Sequence, residues 1–136
     1  MLRVRTKIAQ SPVHGMGLYA DEFIPKGTLI WNYDPYFDVA FTDYHMKDLS
    51  EHAVRLLQRY AYPDEAIGTY ILCADDARFI NHSIDPNTDE VLGVGTVARR
   101  DIQPGEEILS NYVELGIKDF SMFAEEDRPE QYRTAK

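Results

Sequence analysis

Cysteine is almost missing from this chain: Cys73 is the single one in 136 residues. That excludes an internal disulfide and any cysteine-rich zinc site. It fits a reducing setting, cytoplasmic or nuclear. Long apolar runs are missing too. No stretch approaches the ~20 residues of a membrane-spanning helix, and MLRVRTKIAQ at the start has no apolar core of a secretion signal, so neither is expected. Positive charge is scarce. Lysine and arginine number 14 against 23 aspartates and glutamates, a formal net charge of −9. Such a surface repels phosphate backbones and argues against direct nucleic-acid binding. It suits basic partners, although on composition alone surplus acid is more ordinarily a matter of solubility.

What is there suffices for one domain. Hydrophobic residues make up 44% of the chain, enough for a core of ordinary domain size. The first forty residues alternate short strand-like runs with turns: RVRTKIA, then SPVHGMG, LYA, IPKG and TLIWNY. Between residues 43 and 60 the pattern changes. Ser50 can cap a helix, Leu49, Ala53, Leu56, Leu57 and Tyr60 recur at helical spacing, and Pro63 ends the run. TYILCA, RFINH, LGVGTVARR and EEILSNY return to β-type composition. The expected fold class is therefore mainly β, with many short strands and one helical insert. No linker or low-complexity segment divides it. Two stretches echo each other: ADEFIPKGTLI and ARRDIQPGEEI align Ile24 with Ile102, Gly27 with Gly105 and Ile30 with Ile108. A repeat and two unrelated turns of similar chemistry both fit this echo.

Few residues suggest chemistry by spacing alone. His14, His45 and His52 lack metal-ligand spacing, and no metal site is expected. His82 and Ser83 are adjacent, so on an extended chain they face opposite ways and cannot act as base and nucleophile. The acidic pairs Asp75-Asp76 and Glu106-Glu107 suit a solvated edge, and Cys73 suits an inert core position. Nine tyrosines are present, including Tyr60, Tyr62, Tyr70 and Tyr112. Most should be core residues with a polar tip, but clustered rings could also surround a cation. The stretch RFINHSIDPN, residues 78–87, ends an apolar run on Asn81, His82 and Ser83. Those side chains either satisfy the backbone of a crowded crossing or hold a ligand.

GMG (15–17), RFINHSIDPN (78–87) and GEEILSNY (105–112) occur in this order at domain-scale spacing. Together they closely resemble the SET-domain lysine methyltransferases, whose motifs are a GxG, an R-F-x-N-H-S-x-x-P-N stretch and a G-E-E-L-x-x-x-Y stretch. The resemblance runs from about Val4 to Tyr112 and rests on the second and third motifs, since a GxG alone is weak evidence. The short length and lack of cysteine clusters look like the compact bacterial and viral members without zinc-binding flanks.

The resemblance implies a single SET-like domain over 1–136, with a core at about 4–112 and a C-terminal cap segment at 113–136. It implies a fold of several short sheets with a C-terminal pseudoknot. The implied activity is S-adenosylmethionine-dependent protein-lysine N-methylation of a basic, lysine-rich substrate such as a histone or histone-like protein. The cofactor would touch Met16, Gly17, Leu18, Asn81, His82 and Tyr112, with Tyr112 as the catalytic tyrosine. Tyr60 and Tyr62 would wall the lysine channel. Ser110 stands where many members carry Phe or Tyr, which implies a roomier pocket and di- or trimethylation. Phe120 would cap the adenine, with Ile117 and Phe123 beside it, unless these three only pack the tail. A homodimer that completes the groove is compatible. The alternative function is a SET-fold module that holds peptide or cofactor but turns over poorly.

Overall fold

Residues 1–64 and 68–115 are described in the computed structural model. The sequence echo is the organising feature. ADEFIPKGTLI and ARRDIQPGEEI pack against each other in antiparallel fashion, centred on a bridge between Ile24 and Ile102. Ile24 N–H donates to Ile102 C=O at 2.9 Å and Ile102 N–H returns the bond at 2.8 Å. Each flanking bond has a counterpart. Gly27 N–H reaches Ala98 C=O and Gly105 N–H reaches Ala20 C=O, both at 2.8 Å. The two units are thus related by a local pseudo-two-fold. Gly27 and Gly105 sit at φ of +83° and +87°, where a side chain is strained, so each Pro-Gly turn needs its glycine. Ile24, Ile30, Ile102 and Ile108, contributed symmetrically by the two units, are all within 1% of complete burial. Each stabilises the fold by roughly 1.5–3 kcal/mol through burial.

The strands around this pair are short. β1 (Thr6–Gln10) and β2 (Met16–Ala20) form an antiparallel hairpin. β3 (Leu29–Trp31) pairs with β9 (Gly95–Ala98), which pairs with β8 (Thr88–Val91). A further sheet has the order β4 (Val39–Phe41), β6 (Thr69–Leu72), β5 (Tyr62–Asp64). β7 (Asn81–His82) and β10 (Leu109–Ser110) run parallel. The fold is therefore β-dominated, in several small sheets, as expected.

The helical insert consists of two helices, not one. α1 (Asp43–Met46) carries a capping box in which Thr42 and His45 bond each other's backbone, and α2 (Glu51–Tyr60) starts at Ser50, whose hydroxyl accepts from Ala53 N–H. Two cap residues in one stretch give two helix starts. α2 buries only Leu57, and Leu56 stays 43% exposed.

Three local expectations need correction. RFINH is not continuous strand: Asp76–Phe79 forms a 3₁₀ turn because the Asp75 carboxylate accepts from Ala77 N–H. Asp75 is not a free edge residue either, since it also accepts from Leu2 N–H at 2.7 Å. Met16, Gly17 and Leu18 belong to β2, not to a loop. Ile117, Phe120 and Phe123 lie outside the described residues.

Candidate active site

The chain's C-terminal stretch crosses the 81–87 segment. Glu106–Ile108 runs beside β2: Ala20 N–H donates to Glu106 C=O, and Ile108 N–H donates to Leu18 C=O. The next two residues pair with Asn81 and His82. Irregular backbone at such a crossing needs side-chain partners, and the polar residues of NHSIDPN provide them. Asn87 Nδ2 donates to Glu107 C=O at 2.8 Å, and its Oδ1 accepts from Leu109 N–H at 2.9 Å. Asn81 Nδ2 donates to His14 C=O, Met16 C=O and Glu107 Oε1, all within 3.1 Å. Glu107 Oε1 also accepts from Ser11 Oγ at 2.7 Å. One amide and one carboxylate thus pin the GMG hairpin to the crossing.

That hub corrects the solvated-edge expectation for Glu107. Glu106 fits it better, since it pairs with Arg100 on the surface. The hub also explains the second glycine of GMG: a Cβ at Gly17 would lie 2.2 Å from Glu107 Oε1. Only a residue without a side chain leaves room for the carboxylate.

On the far side of the crossing stands Tyr112. Its hydroxyl donates to Ile80 C=O, and its backbone N–H donates to His82 Nδ1 at 3.0 Å. The second bond makes Nδ1 an acceptor, so the proton of the neutral ring sits on Nε2. Burial lowers the His82 pKa and favours that neutral form. Burial, with Cys73 and Glu107 nearby, pushes the Tyr112 phenol above its ordinary value, so the phenol stays protonated.

Tyr112 lines a cavity of about 70 Å³ together with Tyr60, Tyr62 and Ser110. α2 ends at Tyr60 and β5 begins at Tyr62, so the end of the helix delivers both rings. Tyr62 stands edge-on to Trp31 with centroids 5.8 Å apart, and Tyr60 edge-on to Phe79 at 5.9 Å. Ser110 is buried and shares a 2.7 Å hydroxyl hydrogen bond with Thr88. Arg78 lines the cavity as well; its guanidinium donates to Cys73 C=O at 2.9 Å and lies 5.7 Å from the Tyr60 ring centre.

A family model for the SET domain matches residues 15–113. The chain belongs to the SET-domain family. The SET-domain chain is 30% identical over 118 residues to a histone-lysine N-methyltransferase of Debaryomyces hansenii described as H3 lysine-36 specific, covering 77% of this chain and 16% of that protein. It is 31% identical over 134 residues to an H3 lysine-4 specific histone-lysine N-methyltransferase of Cryptococcus neoformans, covering 82% of this chain and 8% of that protein. It therefore spans only a small part of these relatives. They are fungal proteins, and they lend no support to the expected likeness to compact bacterial and viral members. Among solved structures, a Plasmodium falciparum protein described as a histone methyltransferase superposes with a TM-score of 0.57 at 23% identity, covering 82% of this chain and 95% of that one. That likeness establishes the fold.

Within this SET domain the expected site residues fall into two groups. Asn81 is bonded to Met16 and His82 to Tyr112, and the two pairs are joined through the adjacent positions of Asn81 and His82 on β7. Leu18 is fully buried and its carbonyl is taken by Ile108, so it serves the core. Gly17 serves the hub. Cys73 is core as expected, and burial pushes its thiol up to about 12. Among the described residues no cluster suits a metal ion, and no helix is long and apolar enough to cross a membrane.

Sequence reasoning missed Trp31, Arg59, Glu90 and Thr96, which also line the cavity. Glu90 is the unusual one. It sits on β8 opposite Thr96, whose hydroxyl donates to its carboxylate at 2.8 Å. Burial, reinforced by Glu114 and Asp89, raises its pKa to about 7 despite that hydrogen bond. Strand alternation puts Glu90 on the same face as Thr88, whose side chain is buried. That face was the available signal, hidden because TDEV looks like an acidic surface run.

Proposed function

We propose that this SET domain is an S-adenosylmethionine-dependent protein-lysine N-methyltransferase acting on a basic protein substrate such as a histone. The observation that carries the reading is the tyrosine-walled cavity beside the crossing, with Tyr112, Tyr60 and Tyr62 around a space of about 70 Å³. A narrow aromatic slot suits a long side chain ending in a methylated amine, because ring faces attract a cation and exclude water. It also lowers the pKa of an entering lysine by desolvation.

The residues fit the cofactor. A cationic sulfonium is disfavoured beside an imidazolium, and His82 is held neutral by burial and by accepting from Tyr112 N–H. Arg59 and Arg78, which line the cavity, offer partners for a carboxylate. Met16, Asn81, His82 and Tyr112 would hold the cofactor, which supplies an electrophilic methyl group when bound. Tyr112, anchored by Ile80 C=O, would keep its phenol oriented towards the incoming amine. Asn81 acts chiefly by fixing the His14–Met16 backbone, because its amide nitrogen is spent there and on Glu107.

Next to the cavity lies an outer groove of about 490 Å³, lined in part by Asp64, Glu90 and Glu114. Its acidity suits a basic peptide. A histone substrate is suggested by the fungal histone-lysine N-methyltransferases and would place the protein in the nucleus.

Calorimetric titration with S-adenosylmethionine, followed by labelled transfer to a mixture of basic proteins, tests the reading. Binding and label on lysine are expected. Binding without transfer to any protein would favour the module that turns over poorly, and no binding would overturn both.

A further inference from the structure

Four residues are shared between the narrow cavity and the outer groove: Trp31, Tyr62, Glu90 and Leu115. Three of them are apolar or aromatic, and Glu90 alone carries a carboxylate. A side chain passing from groove to cavity must cross this common wall. The carboxylate there is held by Thr96 Oγ1, which donates to both of its oxygens at 2.8 and 3.1 Å. No salt bridge to Glu90 occurs among the described residues. The nearby cation Arg99 is engaged by Asp89 and Glu114 instead. The same wall contains the buried Trp31 Nε1–H, which has no hydrogen-bond partner among the described residues. A half-buried carboxylate without a cation, placed where a substrate lysine would pass, is a counter-charge awaiting one.

We propose that Glu90 is the substrate-selecting carboxylate of this site: it receives the lysine ammonium at the threshold of the cavity and takes up its proton. The inference rests on the methyltransferase reading above and adds a residue to it. In the step, one N–H bond of the ammonium breaks and one O–H bond forms on Glu90, leaving a neutral amine and a neutral carboxyl. The proton then leaves to solvent through the outer groove. Glu90 suits this exchange because burial has already brought its affinity for a proton close to neutral pH.

Other titratable groups surround it. Asp89 flanks it on β8, Tyr62 and Asp64 come from β5, and Tyr112 and Glu114 from the C-terminal turn. Cys73, Tyr60, Arg59 and Arg78 line the inner cavity. Burial keeps the Tyr62 and Tyr112 phenols and the Cys73 thiol protonated across pH 6–8. Burial brings the charge change of Glu90 itself into that window.

The test is a binding measurement that needs no cofactor. A fluorescent, arginine-containing peptide with one lysine is compared by anisotropy with a twin carrying norleucine, which has the same length but no ammonium. At pH 8 the lysine peptide should bind the wild type about tenfold more tightly, and that preference should fade as the pH falls below 7. Glu90→Gln should bind the twins alike at every pH, and Glu90→Asp should restore part of the preference. Equal binding of the twins by the wild type, or a preference and pH dependence retained in Glu90→Gln, overturns the inference. The wild-type pH series stands even if a variant fails to fold. A lysine preference without methyl transfer would sustain Glu90's role and sink the enzyme reading. Transfer without the preference would do the reverse.

Discussion

Asn81 Nδ2 and Glu107 Oε1 meet at 3.0 Å where the GMG hairpin and the C-terminal crossing touch. Ser11, Gly17 and the carbonyls of His14 and Met16 converge on the same spot. Removing Glu107 would take from the Ser11 hydroxyl its carboxylate acceptor and from Asn81 one of its three. Glu107→Ala is therefore expected to cost about 2–3 kcal/mol, seen as a lower urea midpoint. Gly17→Ala should also destabilise, because its Cβ would meet the carboxylate. Once Glu107 is truncated, much of that clash disappears. A double-mutant cycle should therefore show coupling of about 1 kcal/mol or more; additive effects would mean the glycine is required for another reason.

Tyr112 illustrates a group whose position rather than its acidity should matter. Its phenol is protonated, and its hydroxyl is tied to Ile80 C=O. Tyr112→Phe preserves the ring and the backbone bond to His82. Cofactor affinity should change only a few-fold, while the rate of methyl transfer should fall about a hundredfold. Full activity in this variant would remove Tyr112 from the proposed mechanism.

Ser110 sets the room left in the cavity. Its small side chain is directed to Thr88, and an aromatic ring there would intrude on a space of only about 70 Å³. The wild type should accumulate di- or trimethyllysine, and Ser110→Phe should shift the product towards monomethyllysine, measured by mass spectrometry. Strictly monomethylated product from the wild type would show that other walls refill the pocket. Overpacking carries a stability cost of about 1–3 kcal/mol, so a melting curve should accompany the assay.

The sequence revealed the parts of this molecule whose chemistry is local. Ser50 announces a helix start and Pro-Gly turns announce reversals, while the echo between the stretches at Ala20 and Ala98 left a repeat and two similar turns both open until the Ile24–Ile102 bridge paired them. NHSIDPN carried enough unusual polarity to mark a crossing or a ligand site. What stayed hidden depends on partners far away in the chain. Glu107 looked like half of an ordinary acidic pair because Ser11 lies 96 residues from it. Glu90 was missed because the cavity around it is completed by Trp31, far away in the chain on β3, and by Tyr62 from another sheet. RF in RFINH looked like strand because nothing in its own composition reveals that Asp75 caps the 3₁₀ turn to which both residues belong.

Glu90 should also leave a mark on stability, with a definite sign. Its pKa is raised from 4.5 to about 7 by burial. Below pH 4.5 the group is protonated both folded and unfolded, so it has no cost there. As pH rises from 4.5 to 7 the unfolded chain releases the proton first, and the folded state loses stability relative to it. Above 7 the loss is complete. An undiscounted shift of this size corresponds to about 3 kcal/mol. Because Glu90 is only partly buried, solvent screening reduces the expected figure to about 1–2 kcal/mol. Glu90→Gln should therefore raise the urea midpoint at pH 8 and leave it nearly unchanged at pH 4. An equal gain at both pH values would assign the effect to packing rather than charge. A gain confined to pH 8, together with loss of lysine preference, would show that the fold tolerates an unfavourable carboxylate at the one position where the substrate's charge can meet it.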